Sequence, residues 1–132
     1  MQITLSSILV DDQDRALRFY TDVLGFEKKH DIPLGRYRWL TLTSPEGASG
    51  VELVLEPAEF APARVYQKAL YDAGIPATAF ISTDIDAEVQ RLTARGVRFR
   101  GEPTKAGSVI AVLFEDTCGN LLNLVQPEKR GR

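Results

Sequence analysis

The sequence predicts an α+β protein built from two tandem βαβββ units. Three observations carry that prediction. Val10-Asp11-Asp12 leads into an amphipathic stretch that stops at Gly25-Phe26, and Thr83-Asp84-Ile85-Asp86 leads into another that stops at Gly96-Val97. The halves close alike, with Pro45-Glu46-Gly47 ahead of Gly50-Val51-Glu52-Leu53-Val54 and Asp116-Thr117-Cys118-Gly119 ahead of Asn120 to Val125. A shift of 71 places Gly25 on Gly96 and Glu52 on Asn123, while the leading aspartates need 72. A repeated unit that cannot bury its own apolar face packs on its copy, and the seam between copies is a natural place for a site.

Each element follows in order. Ile3 to Val10 is rich in β formers and reads as a strand. Asp12 caps a helix whose apolar stripe is Ala16, Phe19, Tyr20, Val23 and Leu24, and Gly25 supplies its left-handed end. Phe26 to His30 is a short strand, and Pro33-Leu34-Gly35 turns the chain into a strand over Arg36–Ser44. A Pro/Gly/Ser loop leads to the strand Val51–Glu56, which closes module one at about residues 3–56. The linker, residues 57–76, holds a helix over Arg64–Ala73, with Tyr66, Ala69, Leu70 and Ala73 expected on its packed side. Module two spans about residues 77–126: a strand at 77–83, a helix at 86–95 between Asp84 and Gly96, then strands near 97–101, 108–115 and 120–126.

Composition sets the outer bounds. A chain of 132 residues with 44% hydrophobic content forms one domain, residues 1–132, with a real core. A net charge of −2 gives no electrostatic case for nucleic acid or an anionic membrane. The basic tail Glu128-Lys129-Arg130-Gly131-Arg132 reads as solvated. The single cysteine fits a reducing compartment. The N-terminus shows no apolar signal stretch, and no run reaches the ~18 apolar residues of a membrane span, so a cytoplasmic protein is expected.

The duplication, the aspartate-led helix ending in Phe19-Tyr20-x-x-Val23-Leu24-Gly25-Phe26, and the closing Glu115-Asp116-x-x-Gly119-Asn120 together resemble the vicinal oxygen chelate superfamily. That group includes glyoxalase I, bleomycin-resistance proteins and extradiol dioxygenases, and the likeness covers residues 3 to 126. The resemblance implies a glyoxalase-like fold in which the modules form a cupped mixed sheet with a pocket in the cup, usually in a homodimer. It also implies metal ligands on the first and last strands of each module. The matching positions here are Leu5, Glu52, Thr78 and Asn123. Leu5 donates nothing, Thr and Asn are weak donors, and one carboxylate does not hold a transition metal against water, so no metal and no cofactor is expected.

Strand alternation assigns the faces independently. Leu53 and Leu55 oppose Glu52, Val54 and Glu56; Leu40 and Leu42 oppose Tyr37, Trp39, Thr41 and Thr43; Leu122 and Leu124 oppose Leu121, Asn123 and Val125. The aliphatic faces should meet the helices, leaving a pocket of Leu5, Ser7, Trp39, Thr41, Glu52, Thr78, Phe80, Ile110 and Asn123. Such a lining suits a small organic ligand. Glu52 is the candidate catalytic residue, since a carboxylate in a concave apolar site tends to be functional. Against it stands a solvated glutamate on an open sheet face. Trp39 reads first as a core or dimer residue, His30 as a solvated strand residue, Cys118 as an inert turn thiol, and Tyr37 as an ordinary phenol. Two functions fit: a metal-free small-molecule binding protein, or a glyoxalase-type lyase, isomerase or dioxygenase that uses Glu52. A ligand-free structural dimer is the third.

Overall fold

The structure, a computed structural model, describes residues 1–128, so most of the basic tail lies outside the described residues. Module one consists of β1 (Leu5–Val10), α1 (Gln13–Arg18), a π-helical turn (Phe19–Val23), β2 (Glu27–Leu34), β3 (Tyr37–Thr43) and β4 (Glu52–Pro57). The linker helix is α2 (Ala61–Asp72). Module two repeats the plan with β5 (Thr78–Ile81), α3 (Ile85–Ala94), β6 (Phe99–Ala106), β7 (Val109–Glu115) and β8 (Leu121–Pro127). Each module forms its own four-stranded sheet, ordered β1-β4-β3-β2 and β5-β8-β7-β6, with β1–β4 and β5–β8 parallel and the other pairs antiparallel. The expected α+β class and tandem βαβββ plan are therefore present.

The capping residues act as their chemistry requires. Asp12 accepts from the Arg15 amide and Asp84 from the Ala87 amide, each satisfying a helix-start N–H that has no partner within the helix. α1 widens into a π-helical turn before Gly25, which takes φ +91°. One apolar core joins both modules. It takes Ile8, Leu40, Leu42 and Leu55 from the inner face of the first sheet, Val112, Phe114, Leu122 and Leu124 from the second, and Ala16, Tyr20, Ile85 and Leu92 from the helices.

A buried polar knot fastens the modules together. The Tyr20 hydroxyl donates to Asp116 Oδ2 at 2.7 Å. Asp116 also accepts from the amides of Cys118 and Asn120 and from Asn120 Nδ2. Asn120 Nδ2 and Gln67 Nε2 both donate to the Leu9 carbonyl, tying the first strand to the last hairpin and to α2. This accounts for the Asp-x-x-Gly-Asn pattern structurally: the turn needs Gly119 at φ +95°, and its aspartate collects donors. It also corrects the expected face of α2. That helix packs through Gln67, Leu70 and Tyr71, and Tyr66 is 61% exposed. The Gln67 amide, which donates to the Leu9 and Cys118 carbonyls and to Asn120 Oδ1, sets the rotation of the helix.

Candidate functional site

The register of each sheet decides which side chains can share a site, because a slip of one residue moves a side chain to the opposite face. In the first sheet Leu5 pairs with Glu52, Ser7 and Thr41 with Val54, His30 with Thr41, and Ile32 with Trp39. These residues line the outer face, away from α1. The five expected residues of module one, Leu5, Ser7, Trp39, Thr41 and Glu52, are therefore brought together. In the second sheet Ala79 pairs with Asn123, Ile81 and Ala111 with Val125, and Leu113 with Asn123. Asn123 lies on the outer face as expected.

Thr78, Phe80 and Ile110 do not. Thr78 pairs with Leu122 and Phe80 with Leu124, while Ile110 alternates with Val112, the partner of Leu124. All three face the core side. The sequence assignment put the strand one residue out of phase, because β5 is only four residues long and offers little alternation to read. The position that shares the outer face with Asn123 is Ala79.

Glu52 is the best-developed chemical feature of the outer face. Its side chain is 16% exposed, and its Oε1 accepts from the Thr41 hydroxyl at 2.8 Å. His30 Nε2 stands 3.7 Å from Oε1 and Lys29 Nζ 3.9 Å from Oε2. A register shift between Lys28 and His30 re-aims this stretch of β2 toward β4, and the His30 amide donates to the Thr41 hydroxyl. His30, read from sequence as a solvated strand residue, keeps a side chain 43% exposed while its ring stands beside the glutamate. A bulge breaks the period of two, so strand alternation could not reveal it. The sole tryptophan, Trp39, is half-buried on the same face, between the hydrogen-bonding cluster and the exposed Ile32 and Leu34. The arrangement offers an aromatic plate, aliphatic contacts, and a carboxylate whose Oε2 takes no hydrogen bond among the described residues.

The four positions implied for a metal are, after the correction, Leu5, Glu52, Ala79 and Asn123. They offer one charged oxygen donor and one neutral amide, and among the described residues no three His, Cys, Asp or Glu side chains converge. That donor set does not fit a transition metal.

A second space lies between the modules, lined from the core side of the first sheet and from both faces of β5. This cavity of about 750 Å³ is walled by Leu24, Phe26, Leu42, Leu53, Phe80 and Leu92 and bordered by Glu52, Thr78, Glu88, Arg91 and Arg95. The seam does hold a cavity, and it receives Thr78 and Phe80, but the outer-face residues Trp39 and Asn123 take no part in it.

Cys118 is fully buried, and burial pushes its thiol up to about 11, away from any nucleophilic role. Tyr37 packs under Arg36, whose guanidinium carbon lies 5.4 Å from the ring centroid.

Comparison with known proteins bears on this geometry. The sequence profile of the Glyoxalase/Bleomycin resistance protein/Dioxygenase superfamily matches residues 2–124. A protein of Bacillus subtilis (strain 168), YurT, described as uncharacterized, is 52% identical over 126 residues, covering 96% of this chain and 99% of its own. Among solved structures, UcmS2 superposes with a TM-score of 0.79 at 30% identity, over 95% of this chain and 97% of its own. TnmS3, an antibiotic binding protein from Streptomyces sp. CB03234, superposes with a TM-score of 0.73 at 30% identity, over 97% of both chains.

Proposed function

The chain belongs to the glyoxalase/bleomycin resistance protein/dioxygenase superfamily, and from that premise we propose that it is a metal-free small-molecule binding protein. Its ligand rests on the outer sheet faces, against Trp39, with a hydrogen-bond donor directed at Glu52. The observation that carries this reading is the Glu52 carboxylate, held by Thr41 on the face of Trp39 and Leu5, without a second strong metal ligand at the matching positions. The likeness to TnmS3, an antibiotic binding protein, supports a ligand of natural-product size. The expected cytoplasmic location is part of the same proposal, and the single buried cysteine suits it. No helix among the described residues is long and apolar enough to cross a membrane.

The working form in this proposal is a two-fold homodimer. A compact monomer of 14.6 kDa exposes about 6,900 Å². This chain exposes 8541 Å², about 1,600 Å² more. A standard interface removes about 800 Å² from each partner. The exposed apolar residues that would be covered include Leu5, Ile32, Leu34 and Ile81, all on outer faces. Pairing the first sheet of one chain with the second sheet of its partner would put Glu52 and Trp39 opposite Asn123 and close two cups.

A thermal-shift screen against aromatic metabolites, 2-oxoaldehyde–thiol adducts and glycopeptide antibiotics tests the binding. A hit should raise the melting temperature and change Trp39 emission, and Trp39→Ala should cost binding more than folding. A screen in which no hit changes Trp39 emission would reject the outer-face site. The second reading, an enzyme with Glu52 as base, is favoured by His30 at 3.7 Å from the carboxylate. It requires turnover of a bound adduct that Glu52→Gln abolishes while binding persists.

A further inference from the structure

The cavity between the modules shares Thr43, Glu52, Ala79 and Ile81 with the outer faces but excludes Trp39 and Asn123. Its walls are mostly apolar with a polar and charged border, and at about 750 Å³ it falls in the size range of small-molecule pockets. Its charged border is uneven. Arg91 donates through Nε to Glu88 at 2.9 Å and is neutralised there. Glu52 is engaged by Thr41, Lys29 and His30. Arg95 differs: its Nη1 donates to the Val23 carbonyl at 2.8 Å, and among the described residues it forms no ion pair. That bond anchors the guanidinium from α3 across to the end of the π-helical turn, at the cavity border, and its remaining N–H groups take no acceptor among the described residues. Arginine matches carboxylate geometry with paired N–H donors. Glu46, on the loop that also borders the cavity, lies with Glu88 and Arg91 around an adjoining smaller hollow and disfavours an anion at that part of the border.

We infer that this cavity binds an amphipathic anion, an aliphatic or aromatic body in the apolar chamber with its carboxylate on Arg95. Titration calorimetry with decanoate below its micelle concentration, with decyltrimethylammonium as the matched cation, tests this. Decanoate should bind at one per chain and the cation should not. Arg95→Gln, at an exposed position, should weaken decanoate binding about tenfold while the protein stays folded. Arg64→Gln, at an exposed arginine near Glu59, should leave it unchanged. Trp39 emission should not respond to decanoate, which separates this site from the outer face. Absence of saturable decanoate binding, equal binding of the cation, equal effects of the two arginine substitutions, or a decanoate-induced shift in Trp39 emission would each overturn the inference.

Discussion

Tyr20→Phe should loosen the joint between the modules and do so in a pH-dependent way. The Tyr20 ring is fully buried and its hydroxyl donates to Asp116 Oδ2 at 2.7 Å. The substitution keeps the ring and removes only that donor. A hydrogen bond to a charged group is worth about 1.5–3 kcal/mol, and Asp116 retains three other donated hydrogen bonds, so a cost of about 2 kcal/mol is expected at pH 7. For a chain of this length that is about 6–10 °C in melting temperature. Burial, and then the Asp116 charge, hold the Tyr20 phenol well above its usual range. An unfolded phenol ionises near pH 10, so above that pH deprotonation favours the unfolded state alone. Wild-type stability then falls by about 1.4 kcal/mol per pH unit through this group, and the Phe variant lacks that loss. The gap of about 2 kcal/mol at pH 7 should therefore narrow to about 0.6 at pH 11. Urea unfolding followed by circular dichroism at the two pH values, at one protein concentration, measures both. A gap that stays constant from pH 7 to 11 would refute a buried, neutral Tyr20.

Other consequences are equally concrete. Protein purified without chelator should carry far less than one equivalent of transition metal by elemental analysis, and stoichiometric zinc, nickel, iron or manganese on Glu52 would contradict the donor count. Conversely, Leu5→His with Ala79→His and Asn123→Glu should create measurable nickel or zinc affinity, whereas the same set with Thr78→His should not, since Thr78 faces the core side. Gly119→Ala should cost about 2–4 kcal/mol in denaturant titration, because it strains φ +95° and sets a methyl 2.9 Å from the bonded Gln67 amide. Gly35→Ala, at φ +63° with nothing within 4 Å, should cost only about 1–2 kcal/mol.

The fold was legible because its signals are local and repeated. Asp12 and Asp84 cap, Gly25 and Gly96 terminate, and the interval between the copies survives in the three-dimensional repeat. The outer face of module one was legible too, since β3 and β4 alternate cleanly over six or seven residues. What escaped has physical causes. The four-residue β5 carried too little alternation to fix its phase, so Thr78 and Phe80 were placed on the wrong face. Ile110 was assigned against its own strand, where Val112 and Phe114 share its side. His30 was hidden by a bulge, and the exposure of Tyr66 by a tertiary hydrogen bond from Gln67 that no helical periodicity encodes.

The central claim is that two chains together close the ligand site. Sedimentation velocity at micromolar concentration tests it most directly. The account predicts a single species of about twice the 14.6 kDa chain mass, with outer-face ligand binding lost on dilution in step with dissociation. A clean 14.6 kDa monomer that still binds ligand through Trp39 and Glu52 would contradict it.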